Sequence, residues 1–228
     1  MVGTPVGGSL RRTMAAVWVI VVAAGSGSRF GRPKQYEELG GRRVLDWSLA
    51  AARAIADGPG NGVVVVVPPD RAGDPAPDVD VVVGGGATRS SSVRAGLSAV
   101  PGDAEVIVVH DGARPLAGVE LFARVVEAVR GGADAAVPAV EVTDTLRRRS
   151  GGPVDRGGLV AVQTPQGFRA AALRGAHARE PEATDDASLV EAVGGKVVVV
   201  DGSPANLKIT RPVDLAIAEA LLRFGATP

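Results

Sequence analysis

Apolar and polar positions along this chain alternate with a regular rhythm. Val17, Val19, Ile20, Val21 and Val22 lie in the apolar stretch Ala15 to Ala24 and leave no polar face, the pattern of a central parallel strand covered on both sides. Leu45, Leu49, Ala52 and Ile55 then recur at helical spacing within Val44 to Ala56, and Val63 to Val67 is a second all-apolar strand. Together these predict one βαβ unit. Pro68 to Asp78, rich in proline and aspartate, reads as a surface connection. Strand Val79 to Val83, helix Ser91 to Val100, strand Val106 to Val109, helix Val119 to Val129 and strand Ala135 to Val140 continue the alternation. Helix Ala170 to Ala178, a short helix Asp186 to Ala192, strand Val197 to Val200 and a helix Pro212 to Leu222 close it. This order implies an α/β fold: a single Rossmann-like domain with a mostly parallel sheet and right-handed crossovers.

The rhythm breaks between Val140 and Gln163. There Thr143, Thr145, Arg147 and Arg148 lead through Ser150-Gly151-Gly152-Pro153 to Leu159-Val160-Ala161-Val162, which reads as two short strands and a long turn, a projecting β-arm at residues 140–163. Residues 1–13, with Gly3, Gly7, Gly8 and Ser9, read as a flexible extension ahead of a domain at 14–228. Met14 is a candidate functional start. Arg11-Arg12 before the apolar run imitates a signal peptide, but the run is short and ends in a charged glycine loop, so a cytoplasmic protein is expected.

Composition narrows the chemistry. The 25 basic and 25 acidic residues cancel, and the aromatics are two Trp, one Tyr and four Phe, which leaves neither the electrostatic footprint nor the stacking platforms of a nucleic-acid binder. No membrane partner is indicated. Without cysteine there is no thiolate nucleophile or cysteine zinc site, and two histidines, His110 and His177, cannot build a multi-histidine cage. A hard cation on oxygen ligands remains open.

The first strand breaks into Gly25-Ser26-Gly27-Ser28-Arg29-Phe30-Gly31-Arg32-Pro33-Lys34-Gln35. Gly25 and Gly27 permit a tight backbone approach to an anion, and Arg29, Arg32 and Lys34 add cations beside a strand end, where α/β sheets bind ligands. A polyphosphate is the natural partner. The loop is not a dinucleotide fingerprint, because Gly31 falls one place late, and it is not a triphosphate P-loop, because Lys34 lies between Pro33 and Gln35. Strand Val106 to Val109 delivers His110-Asp111-Gly112-Ala113-Arg114-Pro115 to the same sheet edge. Asp111 is a candidate Mg²⁺ ligand, since a carboxylate suits a hard cation that also bridges phosphate oxygens. His110 reads as packing or hydrogen bonding at the strand end. Gly84-Gly85-Gly86-Ala87-Thr88-Arg89-Ser90-Ser91-Ser92 places backbone amides and small hydroxyls at a helix N-terminus.

Ala23-Ala24-Gly25-Ser26-Gly27-Ser28-Arg29 with Pro33-Lys34-Gln35-Tyr36 resembles the signature loop of sugar- and polyol-phosphate nucleotidyltransferases, most closely the 2-C-methyl-D-erythritol 4-phosphate cytidylyltransferase family. Thr143-Asp144-Thr145, Asp155-Arg156, Gln163-Thr164-Pro165-Gln166, Ala183-Thr184-Asp185-Asp186-Ala187-Ser188 and Asn206-Leu207-Lys208-Ile209-Thr210-Arg211-Pro212 follow in that family's order. The resemblance spans residues 15–222. It implies transfer of a cytidylyl group from CTP, with Mg²⁺, to 2-C-methyl-D-erythritol 4-phosphate.

Residue by residue, the resemblance implies that Ala23, Ala24, Gly25, Gly27 and Asp111 belong to the CTP site, with Gly86, Ala87 and Ser92 at the cytosine. Arg29 and Lys34 would serve the triphosphate, and Lys208 would approach from the acceptor side. Arg114, Thr164 and Thr184 would form the polyol-phosphate pocket, with Thr145 and Arg156 reaching it across a homodimer through the arm. Gly112 replaces a commoner alanine, and Ala87 stands where an acidic residue is frequent, which weakens the base or ribose assignment near Ala87. Two alternatives stay open at this point: a cytidylyltransferase for ribitol 5-phosphate, and a CTP-binding regulatory module without transfer.

Overall fold

The computed structural model describes residues 16–74 and 76–225. The N-terminal extension, the Arg11-Arg12 pair and Met14 lie outside the described residues. In chain order the elements are β1 (Val17–Val22), β2 (Glu38–Leu39), β3 (Arg42–Arg43), α1 (Val44–Ile55), β4 (Gly62–Val67), β5 (Val81–Gly84), α2 (Arg89–Ala99), β6 (Val106–Asp111) and α3 (Val119–Arg130). Then come β7 (Ala135–Glu141), β8 (Val160–Val162), β9 (Gln166–Arg169), α4 (Ala170–His177), α5 (Asp186–Ala192), β10 (Val197–Asp201) and α6 (Pro212–Arg223).

The main sheet runs β10-β7-β9-β6-β1-β4-β5, with β8 added on β7. β1 lies parallel between β4 and β6, and the valines and isoleucines that the pattern marked as two-sided core in these strands are buried, apart from half-buried Val22 at the cleft end of β1. One face packs on α1 and α3 through Leu45, Leu49, Phe122 and Val125, and the other on α2, α4 and α5 through Val93, Leu173 and Val190. Two covering layers explain why these strands read as unbroken apolar runs. A third, smaller cluster joins Phe30, Leu39, Val44, Leu116, Ile209 and Ala218 of α6. It ties the glycine loop to the segment that carries Lys208.

The sheet is mostly parallel, as expected, and three details differ. It also holds β9, which pairs antiparallel with both β6 and β7, where the apolar pattern showed no strand and only the motif Gln163 to Gln166 stood out. Gly167 makes this insertion possible, because a Cβ there would lie 2.8 Å from the Val125 carbonyl oxygen of α3. β6 also runs on through His110 and Asp111, which pair in register with Val21 and Val22 of β1, so Asp111 ends a strand and does not open a loop. Finally, the strand expected from Val79 spans Val81–Gly84, and the helix after it starts at Arg89, since pairing with Val64 to Val67 and the Thr88 cap set those limits. Within residues 140–163, β7 and β8 pair antiparallel, and the stretch from Thr143 to Arg148 forms no strand, contributing only the isolated bridge between Arg147 and Pro153.

Candidate active site

The first wall of the site follows β1. The chain leaves the sheet with the Ala23 N–H donating to the Val66 carbonyl at 2.7 Å and then doubles back at Gly27. That residue has φ of +70°, and a Cβ there would fall 1.9 Å from the Arg32 carbonyl oxygen, so only glycine closes this loop. Phe30 and Gly31 both donate N–H groups to the Gly27 carbonyl. Gln35, only 3 % exposed, begins to explain the motif around Lys34. Its Nε2 donates to the carbonyls of Ala23 at 2.8 Å and Gly25 at 3.0 Å, clamping the loop beside the cleft.

The second wall lies between β5 and α2. The Thr88 side chain accepts from the Ser91 N–H while the Ser91 hydroxyl accepts from the Thr88 N–H, a reciprocal cap that starts α2. Ser92 is buried; its Oγ accepts from the Gly86 N–H at 3.2 Å and donates to the Thr88 carbonyl at 2.8 Å. The hydroxyl thus fixes the shape of the Gly86-Ala87 turn.

The third wall is the end of β6 with the segment that follows β10. Asp111 is buried, with Oδ2 2.6 Å from Lys208 Nζ and Oδ1 3.5 Å from Arg89 Nε. Burial opposes its ionisation, but Lys208 and Arg89 outweigh that cost and hold its carboxyl well below the usual range. Behind it, His110 is fully buried against Phe122, with ring centroids 5.0 Å apart. Burial pushes His110 down to about 3, so the ring is neutral at physiological pH. Its Nε2 lies 3.3 Å from the Arg114 carbonyl, which can only accept. That places the proton on Nε2 and leaves Nδ1 to accept from the Thr164 hydroxyl at 3.2 Å. Thr164 Oγ1 in turn accepts from the Asp111 N–H at 3.0 Å.

Lys208 is positioned through Asn206. The Asn206 Nδ2 donates to the Thr164 carbonyl and to Gln163 Oε1, Gln163 Nε2 donates to the Ser203 carbonyl, and Arg114 donates to the Asn206 carbonyl at 2.7 Å. Lys208 follows two residues on.

These walls enclose a cleft of about 420 Å³. Four cations line it, Arg29, Lys34, Arg89 and Lys208, against one carboxylate, Asp111. Partial burial and then the neighbouring charges of Lys208 and Arg29 lower the Lys34 ammonium. An incoming polyanion would relieve that repulsion, which is why such a cleft favours polyphosphate over a neutral ligand.

Of the residues expected from sequence, Ala23, Ala24, Gly25, Gly27, Arg29, Lys34, Gly86, Ala87, Ser92, Asp111 and Lys208 all line this one cleft. The acceptor set is dispersed. Thr164 is buried with its hydroxyl engaged internally, and the buried guanidinium of Arg114 is tied to Asn206. Thr184 is exposed next to Ala183, which α2 holds through Ser90. Thr145 and Arg156 lie on the exposed arm, where Arg156 donates to the Thr143 carbonyl. Sequence reasoning missed Gln35 and Arg89. Arg89 carried a readable signal: a cation in the first turn of a helix opposes the helix dipole and needs a compensating anion.

A cleft at the strand ends of an α/β sheet, walled by a glycine loop and four cations, defines a nucleotide-binding protein that handles polyphosphate. Residues 17–224 match the family described as IspD, 2-C-methyl-D-erythritol 4-phosphate cytidylyltransferase. The chain belongs to this family and is a nucleotidyltransferase. It is 46 % identical over 220 residues to the 2-C-methyl-D-erythritol 4-phosphate cytidylyltransferase of Cereibacter sphaeroides, covering 91 % of this chain and 97 % of that one. A bifunctional enzyme IspD/IspF of Clavibacter michiganensis is 45 % identical over 226 residues, and the matched region is 91 % of this chain but 55 % of that protein, about half its length. The crystal structure of 2-C-methyl-D-erythritol 4-phosphate cytidylyltransferase from Thermus thermophilus superposes with a TM-score of 0.77 at 41 % identity, covering 92 % and 100 % of the two chains.

Proposed function

We propose that this protein joins CTP to 2-C-methyl-D-erythritol 4-phosphate, giving 4-diphosphocytidyl-2-C-methyl-D-erythritol and pyrophosphate in the non-mevalonate route to isoprenoid precursors. The observation that carries this reading is the convergence of Arg29, Lys34 and Lys208 with Asp111 in one cleft, in a chain of this family.

A phosphomonoester oxygen of the acceptor attacks the α-phosphorus of CTP, and the bond to the bridging oxygen of pyrophosphate breaks. The nucleophile is already anionic, so no general base is needed; the obstacle is bringing two polyanions together and stabilising charge that builds on the α-phosphoryl oxygens. Arg29 and Lys34 meet the triphosphate from the glycine loop. Lys208, held by Asp111 at 2.6 Å, meets the acceptor side. Its ammonium is fixed before substrate arrives, so little reorganisation accompanies the reaction there.

Among the described residues no group of three or more His, Cys, Asp or Glu could hold a metal. One carboxylate in a phosphate cleft still fits Mg²⁺, which commonly takes one or two carboxylates and completes its shell with substrate phosphates and water. Asp111 is the residue that would hold the ion, whose chemistry is neutralisation of phosphate charge. The exposed apolar residues Leu159, Val160 and Val162 on the arm support a homodimer in which Thr145 and Arg156 approach the partner's acceptor pocket. Among the described residues no helix is long and apolar enough to cross a membrane.

Pyrophosphate release by purified protein with CTP and Mg²⁺ tests the reading, comparing 2-C-methyl-D-erythritol 4-phosphate with ribitol 5-phosphate. Release with the first acceptor is expected. Preference for ribitol 5-phosphate would keep the mechanism and change the pathway, and silence with both would leave a CTP-binding module.

A further inference from the structure

Behind the cleft, a line of charged groups continues away from the reacting centre. Arg89 Nη1 donates to Asp186 Oδ2 at 2.7 Å, and Asp186 Oδ1 lies 3.0 Å from His177 Nε2. Asp186 is 0 % exposed and His177 is buried. On its other side the same guanidinium reaches Asp111 Oδ1, while Asp111 Oδ2 holds Lys208. The chain of contacts is therefore His177, Asp186, Arg89, Asp111, Lys208, with each carboxylate dividing its two oxygens between neighbours.

We propose that Asp186 and His177 are positioning residues for cytidylyl transfer, acting through Arg89 on the Asp111–Lys208 pair. The inference rests on the reading of the cleft given above. A single guanidinium stands between two buried carboxylates, closer to Asp186 than to Asp111 by 2.7 against 3.5 Å. Asp186 thus restrains the Arg89 charge from closing fully on Asp111. Without the negative charge at Asp186, Arg89 would be drawn onto Asp111 and would compete there with Lys208, whose ammonium would be released from its acceptor-side position.

A purely structural role is a poorer account of the same contacts. The segment ahead of Asp186 is already fastened to α2 without it: Ser90 Oγ accepts from the Ala183 N–H, and Arg94 reaches the Pro181 carbonyl and Glu182. An ion pair whose carboxylate is fully buried, as Asp186 is beside the partly exposed Arg89, is also a weak way to gain stability, because desolvation consumes most of the attraction, whereas it fixes geometry well. His177 completes the arrangement by engaging the second oxygen of Asp186.

The test is a double-mutant cycle on the full-length enzyme, reading kcat, both KM values and the thermal midpoint. Asp186→Asn keeps the shape and removes the charge; kcat should fall about tenfold or more, with the CTP KM changed less than about threefold. In an Arg89→Gln background the same substitution should cost less than about twofold, because the charge it frees is gone. An effect of Asp186 that does not run through Arg89 predicts the opposite, the same factor in both backgrounds, and a purely structural one lowers the thermal midpoint without the split between kcat and KM. Either result, or an Asp186→Asn kcat within about twofold of wild type, would overturn the proposal. If Asp186→Asn does not fold, His177→Gln takes its place, with a kcat loss that must likewise vanish in Arg89→Gln. Wild-type enzyme assayed alongside separates the two levels, since its silence would count against the proposed function and not against this coupling.

Discussion

His110 offers a quantitative test of how the site is built. It is fully buried, hydrogen-bonded as a neutral ring, and held at about 3 against an unfolded value of 6.5. As pH falls below 6.5 the unfolded chain takes up a proton that the folded chain refuses, so stability must decline with acidification until the folded value is reached. Integrated from about pH 7.5 to about pH 5, this one group removes about 2 kcal/mol. The figure is insensitive to the folded value as long as that value stays well below the lower pH. Asp111 does not contaminate the window: its carboxyl is depressed, so its contribution is lost only below its unfolded value near 3.8. Urea unfolding of wild type and His110→Gln at both pH values is the assay. The variant should be less stable at the higher pH, having lost a packed ring, yet its stability should drop by about 2 kcal/mol less on acidification than wild type. Equal pH dependence in the two proteins would mean that His110 is not held neutral, and the assignment of its Nδ1 as acceptor from the Thr164 hydroxyl would fall with it.

Lys34→Ala and Lys208→Ala should fold, as judged by circular dichroism, and lose turnover by about 10²- to 10³-fold, the cost of removing one preorganised charge-stabilising group; near-normal kcat in either would take that lysine out of the mechanism. Gly27→Ala should abolish CTP binding by calorimetry, since its Cβ would collide with the Arg32 carbonyl at 1.9 Å in a backbone with φ of +70°; retained affinity would show that the loop rearranges. Gln35→Leu leaves the Ala23 and Gly25 carbonyls without their donor, and a stability loss of about 1–3 kcal/mol in denaturant titration is expected. Arg156→Ala should raise the acceptor KM strongly and leave the CTP KM alone, and unchanged acceptor kinetics would argue against an arm that serves a second subunit.

Much of the architecture is a local property of the chain. β1, β4 and β6 could be recognised because a strand covered on both faces must be apolar at every position, and the helices because one face must recur at helical spacing. The glycine loop was legible for a similar reason: Gly27 and the cations beside it are neighbours in sequence, so the pattern can be read before the distant Lys208 that completes the cleft is known. β9 was not legible. Gln166–Arg169 has no β-branched run and becomes a strand only because β6 and β7 offer open edges on either side. The charge chain was equally hidden. Arg89 meets Asp186, and Asp111 meets Lys208, each across 97 residues, and no periodicity reports which of many acidic and basic side chains topology will bring together. Sequence alone determined that the two-sided apolar strands β1, β4 and β6 enter the sheet and which loop meets phosphate; the tertiary structure added β9 and decided which carboxylate faces which cation, because those choices are made by buried geometry between segments far apart in the chain.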